Sequence, residues 1–444
     1  MTDDVQQLRR IGLSEAQAAI KAEMFRRADE ALDGIGADAA RWSIWVPGRL
    51  EVFGKHTDYA GGRSVLCAVE RGFVVRAALR RDRRVRAVDV ALQDSCDTSL
   101  DPDVPKPEAG WQRYVATVAR RLARNFPSAR RGVDLAFHSD LPIAAGMSSS
   151  SALMIAVFVS LAKSNDLRSS EEFRREIFSR EELATYLGCI ENGDAFRSLE
   201  GDGGVGTFGG SQDHTAIMCS IPGRLVQYGF RPVHREAVYR MPPTHTFVVA
   251  SSGVVAEKTV GARDAYNRAS RMVTHLVSAW NGTTGRADPT LADALRSNAR
   301  ASARLHEIAR AETGPFSADE LTQRLQQFEL EALELIPAVG SALARGAFDE
   351  LGPLSDRSQR AANEWLGNQV AETTSLARQA RELGATAASA FGAGFGGSVW
   401  ALVPLGAADT FAASWAAAHA AAFPSVAGNA EVFVSPAGPG AMQW

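Results

Sequence analysis

Lysine is nearly missing from this chain. Of its 48 basic residues only five are lysines (Lys21, Lys55, Lys106, Lys163 and Lys258), the rest being arginine. Arginine- and alanine-rich composition is a general trait here, so a lysine inside a motif is not there by default. Cysteine is also scarce: Cys67, Cys96, Cys189 and Cys219 lie far apart and form no C-x-x-C pair. That spacing excludes a zinc ribbon and a disulfide framework, and it predicts a reduced, cytoplasmic setting. Charge of one sign is not in excess either, since the net charge is −3. No basic surface is implied, and no nucleic-acid partner is expected. Long apolar runs are absent; the least polar stretch, Ala412 to Phe423, contains His419 and falls short of the roughly 18 residues a membrane span needs. The first residues, Met1-Thr2-Asp3-Asp4, lack the basic and apolar regions of a signal peptide. No membrane partner is expected.

What is present is ordinary globular material, 45% apolar and 22% charged over 444 residues. That length fits two domains of about 200 residues each. Helical spacing runs from Ser14 to Leu32, from Trp111 to Phe126, from Ser149 to Ala162 and from Glu171 to about Ile190. Strand-like segments lie at Ser43–Val46, Leu50–Phe53, Gly72–Leu79, Val85–Val90 and Val133–His138. After Thr244 a strand, Thr246–Ala250, opens a mostly helical stretch from Val260 to Leu383, which closes with strands at Ala387–Phe391 and Val399–Val403. The relaxed stretch Gly223–Pro243, with Pro232, Pro242 and Pro243, predicts a boundary that divides the chain into domains 1–230 and 231–444. Strands and helices that do not alternate strictly predict an α+β fold.

Three glycine-rich segments carry chemistry. The second, Leu141-Pro-Ile-Ala-Ala-Gly146-Met-Ser-Ser-Ser-Ser151, leads into an apolar helix. Small residues let a ligand approach the backbone, and a helix N-terminus offers unpaired N–H groups and a favourable dipole to an anion. A single serine there would be a cap; four in a row after glycine favour a phosphate cradle. The third, Gly392-Ala-Gly394-Phe-Gly-Gly397, formally satisfies G-x-G-x-x-G, but a strand follows it rather than a helix. It therefore predicts a tight turn between strands and not a dinucleotide site. The first, Trp45-Val-Pro-Gly-Arg49-Leu-Glu-Val-Phe-Gly-Lys55-His-Thr-Asp58-Tyr-Ala-Gly-Gly62, packs Arg, Lys, His and Asp into ten residues between strand and glycine. It predicts a polar ligand site on a loop.

Taken together these segments resemble the GHMP kinase superfamily, and within it the galactokinase branch. The first is similar to P-G-R-x-N-x-x-G-E-H-T-D-Y-x-x-G, the second to P-x-x-x-G-L-S-S-S-A, and the third to G-x-G-F-G-G-C. Between them Gly209-Gly210-Ser-Gln-Asp213-His214 resembles the segment that carries the catalytic aspartate. The resemblance implies a two-domain α+β GHMP kinase fold with its active site in the cleft between the domains.

It also implies an ATP- and Mg²⁺-dependent sugar kinase acting on the anomeric hydroxyl. Asp213 would be the general base, with Arg49 beside it. Gly146, Ser148, Ser149, Ser150 and Ser151 would hold the ATP phosphates, and Ser150 with Glu191 would hold the metal, which prefers oxygen donors. Glu191 stands further ahead of Asp213 than in galactokinases, and the extra length is expected in Phe196–Val205. Lys55, His56, Asp58, Gly210 and Tyr266 match sugar-contacting positions. Lys55 stands where galactokinases have glutamate, which reverses the hydrogen-bonding demand. If it faces the substrate, a uronic acid or another modified sugar is expected in place of galactose; if it turns away to pair with Glu51 or another acid, it says nothing of the sugar. A GHMP kinase for another hydroxyl or for galactose itself, and a non-catalytic sugar sensor, are the other readings. The intact serines and Asp213 favour an enzyme, working as a monomer or homodimer.

Overall fold

A computed structural model describes residues 2–37, 39–142, 145–254 and 260–444. Ile143 and Ala144 of the second motif, and Lys258, lie outside the described residues. Twelve strands are described: β1 (Arg41–Phe53), β2 (Arg63–Leu79), β3 (Arg84–Asp89), β4 (Asp94–Ser99), β5 (Val133–Ser139), β6 (Arg224–Gly229), β7 (His234–Arg240), β8 (His245–Ser251), β9 (Ala387–Phe391), β10 (Ser398–Pro404), β11 (Glu431–Ser435) and β12 (Met442–Gln443). They form an eight-stranded sheet ordered β12-β1-β2-β5-β3-β4, with the β6–β7 hairpin also on β2, and a four-stranded sheet ordered β11-β8-β10-β9. All described pairings are antiparallel except β3 with β5.

Burial on both faces explains why β1 and β2 read as near-continuous apolar runs. Ile44, Val46, Leu50 and Val52 face one core, while Trp45 points the other way against Met24 and Phe25. The latter belong to helix Glu15–Gly34, whose cap Ser14 accepts from the Gln17 amide and donates from its own N and Oγ to Glu70. On the opposite face lies helix Ser149–Ser164, apolar almost all round and buried accordingly.

The second sheet joins the same core. Trp400 on β10 is fully buried and meets Phe53 of β1 at 6.1 Å and Phe247 of β8 at 5.8 Å, both edge-on. Its other face packs Val248, Ala250, Val399 and Ala401 against helices Ala371–Glu382 and Ala408–Ala422. A separate helical cluster around Trp280, Leu305 and Phe328 reaches back to Tyr59 and Ala60, just after β1.

The α+β expectation holds, with local differences. The two short strands at 43–46 and 50–53 are one strand, irregular at Pro47 to Arg49. The single helix expected over 171–190 is two, Glu171–Glu176 and Arg180–Asn192, because Ser179 caps the second by accepting from the Glu182 amide. The relaxed stretch 223–243 is the β6–β7 hairpin, whose Leu225, Val226 and Tyr228 are buried; its prolines sit at the turn and beyond the second strand.

Candidate active site

The motifs meet at one cavity of about 430 Å³ lined by β1, the loop after it, the start of helix Ser149–Ser164, the segment 205–214 and the β9–β10 turn. Arg49, leaving the irregularity in β1, donates from Nε to Asp213 Oδ1 at 2.7 Å and from Nη1 to the Gly146 carbonyl at 2.6 Å. Asp213 sits in the first turn of helix Gln212–Cys219. Ser148, in the left-handed region at φ 60°, donates from Oγ to the second oxygen of Asp213 at 2.5 Å. The third motif is the tight β9–β10 turn expected of it: a Cβ on Gly392 would lie 2.8 Å from the Gly146 carbonyl, and Ser398 Oγ donates to the Ala145 carbonyl at 2.6 Å.

Asp213 faces the cavity, 35% exposed, while Arg49 beneath it is 3% exposed. Burial alone would push the Asp213 carboxyl up, but the Arg49 charge and the hydrogen bonds from Arg49 and Ser148 outweigh it, and the net shift is down. The group is an ionised acceptor with its charge pinned in place. Next to it the first turn of helix Ser149–Ser164 presents its N-terminus to the cavity. Glu191, at the end of helix Arg180–Asn192, accepts from Ser151 Oγ at 2.7 Å and from Ser150 Oγ at 3.4 Å. These oxygens suit a hard divalent cation, and the long contact leaves Glu191 Oε1 free to take one.

On the other side lies the loop after β1. His56, in the left-handed region at φ 55°, has Nε2 3.2 Å from the Ala393 carbonyl, which can only accept, so Nε2 carries the proton. Nδ1 then accepts from Tyr59 Oη at 3.0 Å. Burial, with Arg324 nearby, drives the His56 pKa down to about 3, so the ring is neutral. Asp58 Oδ2 accepts from the Gln212 amide at 3.0 Å, next to Asp213. A Cβ on Gly210 would stand 2.1 Å from that same oxygen, so only glycine fits there. Tyr266 completes this wall, its ring 5.4 Å from that of His56.

Lys55 does not join them. Its side chain is 1% exposed and turns into the interior, where Nζ donates to Ser358 Oγ at 2.6 Å and Ser389 Oγ at 2.7 Å. Ser358 passes a hydrogen bond on to the buried Glu331 carboxylate. The expectation that Lys55 contacts substrate is therefore corrected: the fully buried Glu331 and two hydroxyls hold the ammonium away from the cavity. Glu51, which lines the cavity, is the residue the sequence reading undervalued. One of its oxygens accepts from Gln212 Nε2, the other has no partner among the described residues, and burial raises its pKa to about 7.

Three family models match this chain in order. The galactokinase galactose-binding signature covers residues 36–79, the GHMP kinases N terminal domain residues 113–201, and the GHMP kinases C terminal domain residues 341–421. The chain thus carries the two GHMP kinase domain signatures and the galactokinase galactose-binding signature, in that family's order along the chain. Curated galactokinases from Glaesserella parasuis and Haemophilus influenzae are 36% identical over 121 residues and 32% identical over 115 residues. Those matches cover 27% and 26% of this chain and span only 31% and 30% of the relatives' own length. In fold, a solved galactokinase from Lactococcus lactis in complex with galactose superposes with a TM-score of 0.75 at 20% identity, covering 96% of this chain and 99% of that one. A mevalonate kinase from Methanococcus jannaschii gives 0.50 at 11% identity, covering 90% and 99%.

Two further cavity residues stand beside predicted site residues without having been given a role, His214 within the Asp213 motif and Asn192 after Glu191. His214 Nε2 lies 3.1 Å from Glu191 Oε2. Asn192 clamps Gly209 and Gly210, accepting from the Gly209 amide and donating to both carbonyls. Their adjacency to Glu191 and Asp213 was the signal available. The loop expected to hold the extra length contributes Val205 to the cavity wall. Among the described residues, no helix is long and apolar enough to cross a membrane.

Proposed function

We propose that this chain transfers the γ-phosphate of ATP to the anomeric hydroxyl of a monosaccharide. The observation that carries this is Asp213, held ionised by Arg49 and Ser148 with a serine-rich helix N-terminus on one side and the His56–Asp58 loop on the other. Phosphoryl transfer asks the protein mainly to position and to neutralise charge. The first turn of helix Ser149–Ser164, with Gly146 and Ser148, takes the ATP phosphates. Ser150 and Glu191 are the groups that would hold Mg²⁺, which when bound neutralises phosphate charge.

In the reaction the sugar O–H bond breaks and its proton passes to Asp213. The freed oxygen electrons form the new bond to the γ-phosphorus as the bond to the β-phosphate oxygen breaks, and ADP leaves. Arg49 keeps Asp213 oriented and offsets negative charge at the transferring group. Because Lys55 faces the interior, it offers no cation for a uronate, and a neutral aldose is the substrate class; the Lactococcus lactis protein, solved with galactose, makes galactose the first to test.

ADP release measured over neutral aldoses, uronic acids, amino sugars and deoxysugars tests this. Turnover is expected with a neutral aldose and no preference for uronates. ATP hydrolysis that no sugar stimulates would overturn it.

A further inference from the structure

One stripe of a distant helix grips the sugar-side loop by its backbone. Arg324, Gln327 and Glu331 follow one another at three- and four-residue spacing, hence on one face, and each is 0% exposed. Arg324 Nη2 donates to the His56 carbonyl at 2.7 Å, Gln327 Nε2 to the Lys55 carbonyl at 3.0 Å, and Glu331 Oε2 accepts from the Gly54 amide at 3.1 Å. Three consecutive residues of the loop are thus read by three side chains of one helix. Glu331 lies where helix Ala318–Glu329 passes into the wide π-type turn Leu330–Leu335, a local form that recurs at functional sites.

What is gripped matters. His56 is a non-glycine residue in the left-handed region, a conformation that persists only when its surroundings impose it. The same Arg324 Nη2 donates to Tyr59 Oη at 3.1 Å, and Tyr59 in turn donates to His56 Nδ1. Two residues on, Asp58 accepts from the Gln212 amide beside Asp213. Lys55 closes the arrangement: its Nζ donates to Ser358 Oγ, which donates in turn to the buried Glu331.

We propose that Arg324, Gln327 and Glu331 are positioning residues: a clasp that holds the backbone of residues 54–56 in the one conformation that presents His56 and Asp58 to the acceptor sugar. This rests on the kinase reading above. The ATP side of the cavity, built on Ser148 to Ser151 and Glu191, lies outside the clasp.

Gln327→Met removes the donor to the Lys55 carbonyl, together with the acceptor of Arg324 Nη1 at 2.5 Å, and keeps the side chain's bulk. Steady-state kinetics on the best aldose should show the sugar KM rising at least tenfold and the ATP KM staying within about twofold. Deuterium uptake should quicken in the peptide spanning residues 50–60 and not in helix Ser149–Ser164. Unchanged constants, or equal rises in both KM values, would overturn the clasp. Should Gln327→Met fail to fold, Arg324→Lys, which keeps the charge and loses the fork that joins Gln327 through Nη1 to His56 and Tyr59 through Nη2, is read by the same criteria. A wild type that phosphorylates no aldose defeats the kinase reading instead; the clasp is then decided by deuterium uptake alone, with uniform or unchanged uptake counting against it.

Discussion

At Asp213 burial and its partners act in opposite directions. Desolvation favours the neutral acid, while Arg49 and two hydrogen bonds favour the carboxylate and prevail. Asp213→Asn keeps the shape and loses the proton acceptor, so kcat should fall by roughly 10²- to 10⁴-fold with the ATP KM nearly unchanged. Retained turnover would remove Asp213 from the chemistry. Glu51 makes a different prediction. Its carboxyl titrates near 7 when folded against 4.5 in an open chain, so the folded protein keeps a proton the unfolded chain has lost. Its contribution to stability is complete below about pH 4.5 and is lost as pH rises towards 7, by about 3 kcal/mol at most. In urea titrations, Glu51→Gln should therefore gain on the wild type across that window, and the gap should level off above it. Parallel pH curves would show that Glu51 is ionised throughout. Lys55→Met strands the Glu331 carboxylate and should cost about 3 kcal/mol, with Lys55→Met/Glu331→Leu recovering part of it; strictly additive losses would mean the two are not coupled.

The loops and turns show how far local pattern reaches. The β9–β10 turn was legible because four glycines in six residues, followed by a strand, make a tight reversal. It packs against Gly146, so on the proposed function Gly392→Ala should raise the ATP KM several-fold: φ there is +81° and the new Cβ would press on that carbonyl. An unchanged KM would uncouple the turn from the phosphate loop. The β1 loop was legible as a polar site but not in its detail. A motif states that Lys55 follows Gly54; it does not state which way the side chain goes, because Ser358, Ser389 and Glu331 arrive from some 300 residues later in the chain. The β6–β7 hairpin was hidden for a related reason. Its prolines suggest a linker, and only pairing with β2 buries Leu225, Val226 and Tyr228.

For the whole molecule, the decisive feature is a core shared by both sheets. Phe53, the last residue of β1, meets Trp400 across them. Trp400→Ala should cost about 3–5 kcal/mol, and the wild type should unfold calorimetrically in one transition that carries both sheets; two resolved transitions would contradict a shared core. The sequence motifs converge on one cavity, where the proposed function brings ATP and a sugar together. The most direct test follows the phosphorus. Purified protein with ATP, Mg²⁺ and galactose or another neutral aldose is monitored by phosphorus NMR, beside Asp213→Asn. A sugar 1-phosphate resonance growing in step with ADP is expected for the wild type and nearly none for the variant. Phosphate appearing only as inorganic phosphate, or equal product from both proteins, would contradict it.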